Sequence, residues 1–275
     1  MSFIAAALQM RSTRSVERNI ADLLALAEEA VGRGARYLQS PEMSNLVERS
    51  RTALFEALRP ESEDAMLKAV CAFAKDKGVT FHLGSIAVRE GEKIANRALL
   101  VGPDGEVKAR YDKLHLFDVD LPNGESWRES ATYTAGQAGV VAPCAEGKLG
   151  LAICYDLRFP YLFRAYAAAG ADILSAPACF TKQTGEAHWV VLQRARAIEN
   201  GAFMISAAQG GQHEDGRETF GHSIIVDPWG RVLAEAGDEP CVITAEIDLA
   251  KVADARGRIP TLQHTRSIHV EALES

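Results

Sequence analysis

Helix-like and strand-like segments alternate along almost the whole of this chain, and that alternation restricts its fold more than any other feature. FIAAALQM (3–10) is an apolar run of strand length. Residues 16–31 set Val16, Ile20, Leu23, Leu24, Ala27 and Val31 on one helical face, and Gly32 and Gly34 close that helix. RYLQSPEMS reads as a strand running into a loop. Residues 62–77 repeat the helical period through Ala65, Met66, Ala69, Val70 and Phe73, with Ser62 as the expected N-cap and Gly78 as the stop. VTFHLGSIAV is a strand, and RALLVGPDGEVKARYDKLHL is a hairpin turning at Pro103-Asp104-Gly105. A strand into Cys154, a helix near 160–169, the strand ADILSAPA and a helix over about 186–200, closed by Asn200-Gly201, come next. AFMISAAQ, the hairpin HSIIVDPWGRVLAEAG and the strand CVITAEIDL complete the series. The pattern implies an α/β protein with helices covering sheet faces. The hairpins make its sheets mixed.

No linker, repeat or low-complexity tract interrupts the 275 residues, so one domain over 1–275 is expected. The net charge of −7 argues against nucleic-acid and anionic-membrane partners. No apolar run reaches membrane-spanning length, and MSFIAAALQM lacks the basic start of a signal peptide. The five cysteines are widely spaced, odd in number and form no CxxC, which argues against a disulfide framework or a zinc site. AAQGGQHEDG lacks the lysine and spacing of a phosphate loop. Free thiols in a reducing cytoplasm, with no cofactor or metal, are the expectation.

Three residues stand out for chemistry. In GLAICYDLRFP (150–160), strand alternation would put Gly150, Ala152 and Cys154 on one face, leaving space beside the sulfur. Position alone favours an inert core thiol, because free cysteines are among the most buried residues. A cysteine nucleophile also needs a base, and none of the seven histidines sits in a recognisable cysteine-protease signature. Glu42 follows Pro41 at the end of a short strand; it is either a solvated loop acid or a rigidly approached general base. Lys113 continues a largely apolar face through Val107, Ala109 and Tyr111. It either snorkels outward or is held charged by a carboxylate, where it could stabilise an oxyanion. The polar stretch over 118–137 has no clear period and is long for a connection in a compact domain.

Taken together, and in this order, Glu42, Lys113 and Cys154 resemble the Glu-Lys-Cys triad of the nitrilase superfamily of carbon–nitrogen hydrolases. SPEMSN, the KLHL strand end, ICYDLRFP and the late HSIIVDPWG hairpin carry the resemblance over essentially the full chain. It implies a four-layer α-β-β-α sandwich. It also implies that Glu42 is the general base, that Cys154 attacks an amide carbonyl to form a thioester, and that Lys113 with the Tyr155 N–H stabilises the oxyanion. Glu129, in ESWRESATY, matches a second glutamate that orients substrate and lysine. Tyr155, Arg158 and Thr181 are the expected substrate-binding residues, and a homodimer or larger assembly is implied. Two carboxylates flanking one lysine would keep it protonated, and its charge would favour a nearby thiolate. One departure is Leu38-Gln39-Ser40 ahead of Pro41, where the family has an apolar run.

KLHLFDVDLPNGESWRES resembles the branch of ω-amidases and deaminated glutathione amidases. PACFTKQTGEAHWVVLQRARAIEN, AAQGGQH and IPTLQHTR look closer to the latter. That implies a small carboxylate-bearing amide as substrate. An ω-amide of a keto acid or an N-carbamoyl amino acid stays open as the alternative. Arg158 is the nearest cation to Cys154 in sequence and could instead pair with Asp156; Arg217, near His213, is a weaker candidate for a substrate carboxylate. Trp189 and Arg196 would pack and pair within the domain or at a subunit interface.

Overall fold

Two mixed sheets form the frame of the computed structural model, which describes residues 2–122, 124–144 and 147–272. The first holds β1 (Ser2–Gln9), β2 (Ala35–Gln39), β3 (Thr80–Glu90), β4 (Lys93–Val101), β5 (Val107–Asp112), the short β8 (Tyr133–Thr134) and β17 (Cys241–Asp248). The second holds β9 (Val140–Cys144), β10 (Gly147–Leu151), β11 (Ile173–Ser175), β12 (Phe203–Ser206), β15 (Ile224–Val226) and β16 (Val232–Glu235). Two small hairpins, β6 (Asp118–Asp120) with β7 (Ser126–Arg128) and β13 (Gly210–Gln212) with β14 (Glu218–Phe220), lie apart from them.

Both sheets share one plan, although the chain carries no legible repeat. In the first, β1, β2 and β3 run parallel, with antiparallel β17 and β4 on either side. In the second, β10, β11 and β12 run parallel, with antiparallel β9 and β15 on either side. Parallel central strands need both faces covered. Alternation along β1 meets that need: Ala6 and Leu8 face helices α1 (Val16–Gly32) and α3 (Ala65–Lys77), while Ala5 and Ala7 face the second sheet. On the far side, Phe163 of α4 (Pro160–Ala168) and Trp189 of α5 (Lys182–Asn200) join the core of the second sheet. The layers therefore run helix, sheet, sheet, helix.

The sequence expectations hold for most elements, with local corrections. The N-cap of α3 is Asp64, which accepts from Leu67 N–H at 2.8 Å; Ser62 lies in a preceding 3₁₀ turn, Glu61–Glu63. The buried stripe of α1 includes Asn19, whose amide donates to the carbonyls of Thr13 and Asn45. α5 begins at Lys182, earlier than the periodicity suggests. Helices α2 (Arg51–Ala57) and α6 (Ala250–Arg258) are not announced by the pattern. The described residues of the polar stretch from Asp118 include the paired strands β6 and β7, a 3₁₀ turn at Glu129–Ala131 and β8.

The polar departure ahead of Pro41 ties the two sheets together. Gln39 Oε1 accepts from the Ala207 N–H of the second sheet's side at 2.7 Å, and its Nε2 donates to Tyr37 Oη at 3.0 Å. Tyr37 Oη also meets His82 Nδ1 at 3.0 Å, and burial pushes the His82 pKa down to about 3, so this ring stays neutral.

Candidate active site

The site lies beyond the carboxyl ends of the central parallel strands, where open α/β sheets generally place ligands. Glu42 follows β2, Lys113 follows β5, Cys154 follows β10 and Cys179 follows β11.

Cys154 does not continue a strand. β10 stops at Leu151, and Cys154 opens a 3₁₀ turn, Cys154–Arg158, with φ of 49°. Such a backbone is strained for a non-glycine residue. The expected room on its face is also filled: a Cβ at Gly150 would stand 2.8 Å from the Tyr166 ring. Gly150 thus admits Tyr166, not substrate. The turn is held from two directions. Cys154 N–H donates to Pro177 O at 2.9 Å. The buried Asp156 carboxylate accepts from Ile153 N–H (2.9 Å), Tyr111 Oη (2.7 Å) and His115 N–H (3.0 Å), and its Oδ1 meets His115 Nδ1 at 2.6 Å. Asp156 is therefore a brace for the turn, and the suggested ion pair with Arg158 does not form. The first N–H groups of a helical turn have no intrahelical acceptor; Tyr155 N–H is one of these.

Glu42, Lys113 and Glu129 meet beside the sulfur. Lys113 Nζ donates to Glu42 Oε1 at 2.9 Å and to Glu129 Oε1 and Oε2 at 3.1 and 2.9 Å. Glu42 is 3 % and Lys113 2 % exposed, so neither is a solvated loop or strand-end charge. Glu42 Oε1 also accepts from Asn96 Nδ2 at 2.9 Å, and Oε2 from Cys179 N–H at 2.8 Å. Glu129 Oε2 accepts from Phe117 N–H at 2.6 Å. Met43, next to Glu42, has φ of 56° and donates its N–H to Ser85 Oγ at 3.0 Å. Asn96 and Cys179 carry no sequence signature that could have singled them out; Asp156 lies in the ICYDLRFP motif, which marks it without revealing that it braces the turn.

The protonation states follow from burial and neighbours. Burial pushes the Glu42 carboxyl up, but the Lys113 charge and hydrogen bonds from Cys154, Lys113 and Asn96 bring it below the ordinary glutamate value. Burial pushes Lys113 down, yet Glu129 and Glu42 hold it well above the usual lysine range. Burial and the Glu42 charge push the Cys154 thiol well up, against the opposing pull of Lys113. These directions favour a resting Cys154 thiol hydrogen-bonded to the Glu42 carboxylate, the arrangement in which a general base can take the thiol proton.

The sequence candidates Glu42, Lys113, Glu129, Cys154, Tyr155, Arg158 and Thr181, and the weaker candidate Arg217, line one cavity of about 360 Å³. Thr181 precedes α5 and shares a hydrogen bond with Thr184 Oγ1 at 2.8 Å. Arg158 lies 5.3 Å from the Phe180 ring centroid and 5.9 Å from that of Tyr155, with Nη1 at 3.1 Å from His188 Nδ1. Among the described residues no carboxylate pairs with it. Arg217 and Arg49, with Trp127, line the same cavity. Trp189 and Arg196 are internal: Trp189 Nε1 donates to His222 O, and Arg196 Nε donates to Leu157 O. Among the described residues, no group of three or more metal-binding side chains occurs and no helix is long and apolar enough to cross a membrane.

Comparison with known proteins agrees with this geometry. The carbon–nitrogen hydrolase family model matches residues 4–257. The chain is 41 % identical over 271 residues to a deaminated glutathione amidase of Synechocystis, covering 95 % of this chain and 97 % of that one. It is 33 % identical to mouse omega-amidase NIT2, covering 97 % and 96 %. The NitFhit protein of C. elegans superposes with a TM-score of 0.90 at 33 % identity, over 96 % of this chain and 65 % of that longer one. An amidase from Nesterenkonia, in a mutant form, bears acrylamide added at the active-site cysteine; it superposes with a TM-score of 0.78 at 27 % identity, over 94 % and 98 %. A family match across nearly the whole chain, amidase relatives at this level of identity and a buried acid–lysine–acid cluster against a cysteine lead to one assignment: the chain belongs to the carbon–nitrogen hydrolase family and is a hydrolase of amides.

Proposed function

We propose that this protein hydrolyses deaminated glutathione to 2-oxoglutarate and Cys-Gly through a thioester on Cys154. The observation that carries the chemistry is the Glu42 carboxylate held between the Lys113 ammonium and the Cys154 thiol. In this reading Glu42 takes the thiol proton as the sulfur attacks the amide carbon, so an exposed thiolate is never required. The tetrahedral oxyanion is stabilised by Lys113 Nζ and Tyr155 N–H. Glu42 returns its proton to the leaving nitrogen, then activates a water that hydrolyses the thioester. Glu129, with two of its contacts on Lys113 Nζ, fixes where the ammonium points.

The substrate class is supported by the cavity's cations and by the names of the relatives. Arg158, half-buried with no carboxylate partner among the described residues, suits a substrate carboxylate. Thr181 and the Tyr155 ring border the same space. The test is incubation of the purified protein with deaminated glutathione, reading Cys-Gly release. Rapid ammonia release from α-ketoglutaramate with none of Cys-Gly would favour the ω-amidase alternative instead.

A homodimer or larger homo-oligomer is part of the same proposal. Val191 and Ile198 lie seven residues apart on the outer face of α5, 68 % and 51 % exposed, and Ile198 packs on Gly230 next to the half-exposed Trp229. The free thiols suit a reducing cytoplasm. Sedimentation of the purified protein and fractionation of its host cells check the two points; a monomer, or an extracytoplasmic location, would overturn them.

A further inference from the structure

One cation cluster in the cavity is not used by the chemistry above. Asp215 and Arg217 share the turn between β13 and β14. Arg217 Nε donates to Asp215 Oδ2 at 2.7 Å, Nη2 lies at 2.7 Å from the same oxygen, and the Arg217 N–H donates to Oδ1 at 3.1 Å. The Asp215 side chain is fully buried, and Arg49 Nε approaches its Oδ2 only to 3.9 Å. One carboxylate thus serves two guanidinium groups. Both guanidiniums also rest against one ring: Arg49 Cζ lies 4.6 Å and Arg217 Cζ 5.2 Å from the Trp127 centroid. Arg49, Arg217 and Asp215 together bring two positive charges against one negative charge to the cavity wall. Among the described residues, the hydrogen-bond partner of Arg217 Nη1 is the Cys179 sulfur at 4.0 Å, a weak acceptor for a strong donor. Of the acids near the same mouth, Glu48 pairs with Arg14 and Glu218 with Lys182, while Glu125 Oε2 accepts from Trp127 Nε1–H at 3.2 Å.

The position of the cluster gives it a side. Cys179, against Arg217, donates its N–H to Glu42 Oε2. Glu42 must reach the leaving nitrogen to return its proton, so the leaving amine departs on this side. Arg158 instead lies with Tyr155, on the turn that carries the nucleophile.

Resting on the reading above, we infer that Arg217 and Arg49, held by Asp215 and Trp127, form a subsite for a carboxylate on the leaving amine and set the preference for amino-acid or dipeptide leaving groups over ammonia. A dipeptide spans at most about 7 Å extended, within a cavity of ligand-pocket size. α-Ketoglutaramate and deaminated glutathione share the same acyl group, so the enzyme must tell them apart on the leaving-group side, where this cluster offers a contact to the carboxylate that ammonia lacks.

The experiment compares kcat/KM for deaminated glutathione and for its C-terminal carboxamide, identical except for the charge. The wild-type protein is expected to prefer the carboxylate by about 10- to 100-fold, the range of a charge-assisted hydrogen bond. Arg217→Gln should bring that ratio close to one, Arg217→Lys should restore part of it, and the exposed Arg49→Gln should lower it severalfold. Equal rates of the two substrates in the wild type would overturn the subsite while leaving the amidase reading intact. A ratio unchanged in Arg49→Gln and in folded Arg217→Gln, with both substrates slowed alike, would move the cluster to the acyl side and overturn it too. Hydrolysis of neither substrate by the wild type would instead remove the reading on which it rests.

Discussion

Cys154→Ala is expected to lose amide hydrolysis by about 10⁴-fold or more, the scale of removing a covalent nucleophile. The fold should survive the change. Alanine keeps the Cβ, and the turn is held by the N–H to Pro177 and by Asp156, neither of which uses the sulfur. Glu42 keeps Lys113, Asn96 and Cys179 N–H as partners, so the acid–lysine–acid cluster stays assembled. Circular dichroism and thermal unfolding should therefore match the wild type closely. A variant that retained more than about 1 % of wild-type kcat would show that another group attacks the amide, since loss of a nucleophile leaves far less.

The second large effect belongs to Glu42. Glu42→Gln is expected to lower kcat by about 10²- to 10⁴-fold, the usual contribution of a general base. The wild-type pH profile carries the same information. Glu42 titrates below the ordinary glutamate value of 4.5, so the acid limb should fall below that pH. The Cys154 thiol titrates well above 9.0, so no alkaline limb from thiolate formation should appear before that point. kcat/KM is expected to be level between about pH 5 and 9, as two such displaced groups require. An ascending limb centred between about pH 6 and 9 would mean that a preformed thiolate attacks and that Glu42 is not its base. Stability follows the same signs. The depressed Glu42 pKa contributes stability above its unfolded value, lost as pH falls through the folded one. The raised Lys113 pKa contributes below its unfolded value of 10.5, lost only as pH rises through a folded value well above it.

Periodicity makes the layered α/β frame legible because Val16–Gly32 and the strands bury continuous faces. The positions of Glu42, Lys113, Cys154 and Glu129 are legible through local motifs, and the structure brings all four to one cavity. Their detailed setting is not. Alternation extends a strand through Cys154, whereas Asp156 terminates it by accepting four hydrogen bonds from residues near and far in sequence. Asn96 and Cys179 act through a mid-strand amide and a backbone N–H, and neither residue type signals such a contact. α2 escapes the pattern because it is only seven residues long, too short for a clear period.

The two sheets of like plan have a consequence for how the protein fails. The acid belongs to one sheet and the sulfur to the other, and their meeting depends on bonds such as Gln39 to Ala207 that stitch one sheet to its neighbour. Each sheet with its helices could keep its secondary structure while sliding or parting from the other, and either movement would separate proton donor from acceptor. Turnover is thus a gauge of docking between two halves, and on mild heating or in low denaturant it should fade before the circular dichroism of either half does.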